Sequence, residues 1–243
     1  MTIDICLPVF NEEDIIATNV NRLFDYCHNQ NFDFDWQIVI INNGSTDKTK
    51  GISLQLLSDK IKYFEVKQVG RGHALKKYWL HSNRDILVYM DIDMAVSFDH
   101  IIGLICPIIS GEADFVIGSR RLADSKYQRS FFRDIVSKIY IFLLHKILRC
   151  NYSDLQCGFK AIKNDKFRKL SPYLEDGSWF FDTELIIIFS IFYGQVKEVA
   201  VDWKENRYKN RKSKVSVLRD SLSSFINILK LRKRIESLDE NSQ

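Results

Sequence analysis

The sequence predicts an α/β fold, a mostly parallel sheet flanked by helices, with a basic amphipathic helix as a C-terminal extension. Short apolar runs alternate with longer amphipathic ones as far as Ile117, which is the signature of βαβ units. The short runs are apolar almost throughout, as strands covered on both faces must be. From Trp203 to Gln243 there are 11 Lys/Arg against 5 Asp/Glu, so the basic character of a chain with net charge +4 belongs to its end.

The strands are read at Ile3–Val9, Gln37–Ile41, Ile61–Val66, Ile86–Met90 and Asp114–Ile117. Between them Glu12–His28, Thr46–Leu57, His73–Ser82 and Asp99–Ile109 have the length and period of helices. Pro107 is expected to end or kink the fourth helix. The pattern changes after about residue 120. Phe131–Arg149 is a long helix, apolar at 132, 135, 136, 139, 142, 143 and 147, flanked by Arg129, Arg133, Lys138, Lys146 and Arg149. It reads equally as a core helix or as one lying on a bilayer surface. Phe181–Tyr193 is an apolar helix, Val196–Val201 a strand, and Val215–Arg234 a basic amphipathic helix. No linker or repeat divides the chain, so residues 1–214 form one domain and 215–243 its extension.

At 46% hydrophobic and 27% charged, the 243 residues can bury a sizeable core. Five cysteines without paired spacing suggest free thiols in a reducing, cytoplasmic compartment. No leader is visible, and no run of about 18 apolar residues suggests a membrane span. The basic tail lacks interleaved aromatic residues, which argues against nucleic acid as partner.

Chemistry is expected where strands end, because ligands of open α/β sheets bind at the carboxyl ends of the strands. The fourth strand runs into Asp91-Ile92-Asp93. Residues i and i+2 of a strand share a face, and two carboxylates leaving together repel unless a cation sits between them. Mg2+ or Mn2+, completed by substrate phosphates, fits that role. The first strand exits through Pro8-Val9-Phe10-Asn11-Glu12 and the second through Asn42-Asn43-Gly44-Ser45-Thr46-Asp47. The third leads to Gly70-Arg71-Gly72-His73-Ala74, whose helix N-terminal amides are available to an anion.

Together these loops resemble glycosyltransferase family 2, a group of GT-A enzymes. The resemblance continues through Gly118-Ser119-Arg120, Asp154-Leu155-Gln156-Cys157-Gly158-Phe159-Lys160 and Trp179-Phe180-Phe181-Asp182-Thr183-Glu184-Leu185. These later motifs look like the branch that glycosylates polyprenyl phosphates, the dolichyl-phosphate mannose synthases and β-glucosyltransferases. The resemblance implies a GT-A fold and metal-dependent, inverting transfer of a hexose from a nucleotide-sugar donor. The implied acceptor is a polyprenyl or dolichyl phosphate at a membrane surface, with the protein peripherally attached. It further implies that Pro8, Phe10, Glu12, Ile41 and Asn43 hold the nucleoside. Asp91, Ile92 and Asp93 would face ribose, diphosphate and metal, with Asp93 the direct ligand. Arg120 would lie near the transferred group, and Arg207 and Lys214 would close over the diphosphate. That pair stands one residue further apart here than the family places it.

A phosphate acceptor needs cations, and Arg120, Arg121, Arg129, Arg133 and Lys160 are the candidates, oriented by Asp154 and Asp182. A hydroxyl acceptor needs a base instead, and Asp182 or Glu184 would serve. The family usually carries Asp-Asp where this chain has Asn42-Asn43. A carboxylate suits the two N–H donors of guanine, whereas an asparagine matches the N3–H and carbonyl of uracil, and cytosine as well. Asn43 therefore favours a UDP-sugar over a GDP-sugar. Alternatives that stay open are transfer to a glycan hydroxyl, a sugar-phosphate nucleotidyltransferase and a non-catalytic nucleotide-sugar binder.

Overall fold

The computed structural model describes residues 1–128, 131–204 and 217–240, with side chains described for all of these but 128, 131–133, 136, 217–224 and 238–240. β1 (Thr2–Val9), β2 (Asp35–Asn43), β3 (Ile61–Val66) and β4 (Ile86–Met90) are joined by α1 (Ile16–Asn29), α2 (Thr49–Gln55) and α3 (Arg71–His81). Then come α4 (His100–Ile109), β5 (Phe115–Ser119), the short β6 (Tyr127–Gln128) and α5 (Phe131–Leu148). The chain continues with β7 (Phe159–Lys163), α6 (Asn164–Leu170), α7 (Phe181–Tyr193), β8 (Lys197–Ala200), β9 (Trp203–Lys204) and α8 (Val217–Glu240). The main sheet has seven strands in the order β3-β2-β1-β4-β7-β5-β8. All its pairs are parallel except those of β7 with β4 and β5.

Side chains alternate across the strands, so the sheet needs cover on both faces. On one face Cys6, Val39, Ile41, Leu87 and Tyr89 pack with Leu75 and Trp79 of α3, Leu144 of α5, and Phe181 and Leu185 of α7. On the other, Ile5, Leu7, Ile38, Ile40 and Val88 pack with Val20 and Leu23 of α1 and Leu104 and Ile105 of α4. Ile228 and Leu231 of α8 are fully buried in the first layer, so the C-terminal helix is built into the core.

β6, α6, β7 and β9 are elements that the sequence reading does not name. Lys160 interrupts the apolar run of β7, and that lysine is completely buried and ion-paired. α4 ends at Ile109, the bound the sequence predicts, two residues beyond Pro107. The proline falls in the last turn, where it gives up its own N–H bond to the turn before, and its carbonyl accepts the Ala113 N–H at 3.0 Å. At the opposite end of the strands, buried Asp4 accepts bonds from Gln37 Nε2 (2.7 Å), Tyr78 Oη (2.7 Å) and Ser82 Oγ (2.5 Å). This clamp joins β1, β2 and α3.

All five cysteines are free thiols, and of these Cys106 is exposed. Burial pushes Cys27 and Cys157 up to about 12 and Cys150 up to about 11. Thiolate is the reactive form. A maleimide titration of the folded protein at neutral pH is therefore expected to modify Cys106 alone at first, and all five thiols in denaturant. Rapid labelling of a second cysteine would contradict this packing.

Candidate active site

The four βα loops meet at the carboxyl edge of the sheet. Asn11, at a left-handed φ of 52°, bolts the first loop to the second. Its Oδ1 accepts the Thr46 N–H at 2.7 Å, and its own N–H donates to Ser45 Oγ at 3.0 Å. Glu12 N–H donates to Thr49 Oγ1 at 2.7 Å. Pro8 and Phe10 are half-buried beside them, whereas the side chain of Ile41 is enclosed in the core.

Asn42 is structural: it donates to Tyr63 Oη at 3.0 Å and accepts the Ser45 N–H at 3.2 Å. Asn43 Oδ1 accepts the Gly70 N–H at 2.9 Å, which fixes the orientation of the amide. Its oxygen is engaged, so its NH2 group is the part offered outward.

The N-terminus of α3 is not the anion site that the sequence suggests. Gly72 N–H donates to Ser178 O at 3.3 Å and His73 N–H to Gly177 O at 2.9 Å. The 176–178 loop approaches so closely that a Cβ on Gly70 would lie 2.2 Å from Gly177 O. Gly70 also holds a φ of 141°, which disfavours any side chain.

Asp91 and Asp93 leave β4 as expected. Asp91 is 42% exposed, and its Oδ1 accepts from Arg71 Nη1 at 3.2 Å. Its side chain occupies space that Gly158 leaves open: a Cβ there would lie 2.0 Å from Asp91 Oδ2. Asp93 Oδ1 accepts the Ala95 N–H at 3.2 Å. Ile92 is buried, and its carbonyl accepts from Asn19 Nδ2 at 2.8 Å. Two carboxylates at one strand end fit a hard divalent ion, with phosphate oxygens needed to complete the shell. Among the described residues no cluster of three or more potential metal ligands occurs.

Behind this pair lies a buried ionic cluster. Asp182, fully enclosed, accepts from Arg71 Nη2, Tyr89 Oη and, at 3.0 Å, Lys160 Nζ. Burial alone would raise its carboxyl; the Arg71 and Lys160 charges and the Tyr89 hydroxyl outweigh burial and hold it below the usual range. Arg71 also stacks on Trp179 at 4.4 Å from the ring centroid. One guanidinium thus ties exposed Asp91 to buried Asp182. The sequence reading assigned no role to Arg71, Tyr89 or Trp179. The signal was an arginine between two glycines that allow its close packing.

Arg120 grips Asp154 through Nε (2.5 Å), Nη2 (2.9 Å) and its backbone N–H (3.2 Å). Burial opposes ionisation of Asp154, and Arg120 overcomes it, so this carboxyl too is held low. Arg121 pairs with Asp134 of α5 at 3.0 Å. Glu184 accepts the Glu175 and Asp176 N–H groups at 3.0 and 2.8 Å and Arg234 Nη1 at 2.5 Å. Arg129, Arg207 and Lys214 lie outside the described residues, as does the side chain of Arg133.

Residues 4–171 match the Glycosyl transferase family 2 profile. Glycosyltransferase AglD of Haloferax volcanii is 31% identical over 235 residues, covering 94% of this chain and 36% of that protein. Dolichyl-phosphate beta-glucosyltransferase ALG5D of Trichomonas vaginalis is 28% identical, over 86% of this chain and 67% of its own length. The chain thus spans about a third of the first relative and about two thirds of the second. Mannosyl-3-phosphoglycerate synthase from Rubrobacter xylanophilus superposes with a TM-score of 0.70 at 16% identity, over 100% of this chain and 76% of that one. Glucosyl-3-phosphoglycerate synthase from Mycobacterium tuberculosis, solved with Mn2+, UDP and glucosyl-3-phosphoglycerate, gives 0.66 at 19% identity, over 95% and 79%. These likenesses show the GT-A fold. The matched profile covers well over half of the sequence, including the paired aspartates and the glycine loops that meet at the sheet edge, and the chain belongs to glycosyl transferase family 2.

Proposed function

We propose that this chain transfers a hexose from a UDP-sugar to a polyprenyl phosphate at the cytoplasmic face of a membrane, with inversion at the anomeric carbon. The observation that carries the reading is the state of the carboxylates. A hydroxyl acceptor needs a proton acceptor within reach, yet Asp154 and Asp182 are buried and already taken by Arg120, Arg71 and Lys160, and Glu184 is engaged by two amides and Arg234. A phosphate acceptor needs no such base, since its second pKa is about 6. The names of the Trichomonas relatives and their kin support the same acceptor.

Asp91 and Asp93 would hold Mg2+ or Mn2+. Such an ion, when bound, neutralises the charge that builds on the departing diphosphate. The protein's own part is positional. Arg71 fixes Asp91, and Asp154 holds Arg120 rigid beside Arg121, so two cations await the acceptor. Arg207 and Lys214 are proposed to cover the donor diphosphate. Pro8, Phe10 and Glu12 are proposed to flank the nucleoside, with Ile41 supporting that wall from the core.

Asn43 supports uracil. With its oxygen accepting from Gly70, its NH2 donates to a base carbonyl. The second lone pair of that oxygen is left for the N3–H of uracil, whereas guanine presents two N–H donors to it, and an unmatched donor costs about 1–3 kcal/mol. The test is transfer from labelled UDP-glucose, UDP-galactose and GDP-mannose to a short polyprenyl phosphate. Label is expected in the organic phase from a UDP-sugar, abolished by EDTA. Preference for GDP-mannose, or label confined to water-soluble products, would overturn the assignment.

A further inference from the structure

Strand β5 ends at Ser119, and Arg120 and Arg121 follow it directly. Its outer neighbour is β8, the edge of the sheet, which pairs Glu198 with Ile117 and Ala200 with Ser119. Glu198 is half-buried, and no step of the proposed transfer uses it. Its carboxylate turns to the loop between α5 and β7. Ser153 N–H donates to both oxygens at 3.0 Å, Ser153 Oγ donates to Oε1 at 2.6 Å, and Asp154 N–H donates to Oε1 at 3.3 Å. One charged acceptor thus gathers three neutral donors, and such bonds are stronger than those between neutral groups.

Two arms lead from this loop to the two arginines. The first is Asp154 itself, whose carboxylate takes the Arg120 backbone N–H and its guanidinium. The second runs through hydroxyls. Ser153 Oγ lies 2.5 Å from Ser119 Oγ, and Ser119 Oγ accepts the Arg121 N–H at 3.2 Å. A carboxylate can only accept, so it takes the Ser153 proton. Ser119 must then donate its own proton to Ser153, which leaves its lone pairs facing the Arg121 amide. The bonds of this arm all point one way, from Arg121 through Ser119 and Ser153 to Glu198. Ser119 and Asp154 are buried, so water is not at hand to replace a lost partner in either arm.

We propose that Glu198 is a positioning residue for the acceptor, setting Arg120 through Asp154 and Arg121 through the paired serines. This rests on the phosphate-acceptor reading and names the residue that aligns its two cations. A carboxylate that merely tied β8 to the sheet would be redundant, because the β5–β8 ladder already does so. The donor side is anchored separately, by Arg71 on Asp91 and Asp182. Loss of Glu198 therefore falls on the acceptor.

Glu198→Gln keeps the shape of the side chain but leaves one accepting oxygen for three donors. Ser153→Ala cuts the hydroxyl arm and keeps both amide bonds. With UDP-glucose and a short polyprenyl phosphate in detergent, Glu198→Gln is expected to lower kcat/KM for the acceptor by about 10- to 100-fold. Ser153→Ala is expected to lower it by about threefold to tenfold. Neither should change the KM for UDP-glucose. Glu112→Gln, which frees Lys197 on the same strand, is the control and should change neither constant. Amide hydrogen exchange by NMR reads the arms with no acceptor present. The Asp154 and Arg121 amides should exchange about tenfold faster in Glu198→Gln, and the Arg121 amide alone in Ser153→Ala. If Glu198→Gln does not fold, Ser153→Ala decides by the same two readouts. Equal rises in KM for donor and acceptor, or a loss of turnover that tracks a falling urea midpoint, would make Glu198 a structural tie and overturn the proposal. So would wild-type exchange at both amides. Loosened amides in a protein that transfers sugar to no polyprenyl phosphate would sink the acceptor assignment and leave the positioning of the arginines standing.

Discussion

Asp182→Ala is expected to lower the unfolding free energy by about 3–5 kcal/mol, measured by urea denaturation. The reason is not the lost attraction alone. Lys160 and Asp182 are both fully buried, and Arg71 is 10% exposed. Without the carboxylate two cations remain in a site with little water, and Lys160 keeps only the Cys157 carbonyl and the distant Tyr89 hydroxyl. Uncompensated buried charge is among the most destabilising defects a core can hold. Pairing Asp182→Asn with Lys160→Met removes both charges and should recover part of the loss, giving a coupling energy of about 1–3 kcal/mol. The sign of the pH effect follows from the same partners. A carboxyl whose folded pKa lies below its unfolded value of about 3.9 stabilises above that pH. The contribution fades as pH falls through the lower, folded value, so wild type should lose stability toward strong acid faster than the double variant. Were Asp182 instead a general base, Asp182→Asn would abolish turnover and leave stability intact.

Gly158→Ala is expected to lower kcat/KM by about 100-fold while leaving the fold intact. The new Cβ would lie 2.0 Å from Asp91 Oδ2 and 2.3 Å from its Cγ, and those atoms must move. They belong to the end of a short, 42%-exposed side chain, so yielding costs the fold little. Yielding costs the site much more, because Asp91 leaves Arg71 and its place beside Asp93. A displacement of about 1 Å in a positioned group is worth roughly 100-fold in rate. Gly51→Ala is the control, since nothing lies within 4 Å of its Cβ, and it should leave turnover unchanged. Full activity in Gly158→Ala would mean that Asp91 has no part in the reaction. A loss of several kcal/mol in stability would mean that the neighbouring backbone, not Asp91, takes up the clash.

Much of the fold was legible because burial on both faces leaves a plain record. Strands Ile61–Val66 and Ile86–Met90 and helix Phe181–Tyr193 have the bounds that apolar runs predict. β7 was illegible because its second residue is charged, and only the partner on α7 makes Lys160 a core residue. The paired aspartates and glycine loops were legible for a different reason: their chemistry is local and continuous in sequence. Arg71 was not, since its partners Asp91 and Asp182 are 20 and 111 residues away and no local pattern announces them. The α3 amides failed for a like cause. Their acceptors come from residues 177 and 178, far along the chain.

The ties around Glu184 have a mechanical consequence. Arg234 holds Glu184, Glu184 holds the amides of Glu175 and Asp176, and the adjoining Gly177 carbonyl seats the start of α3, where Arg71 begins its reach to Asp91. Helix α8 is a keystone for the loops at the carboxyl edge of the sheet. Force applied to it would travel to Asp91 along a relay of hydrogen bonds and ion pairs.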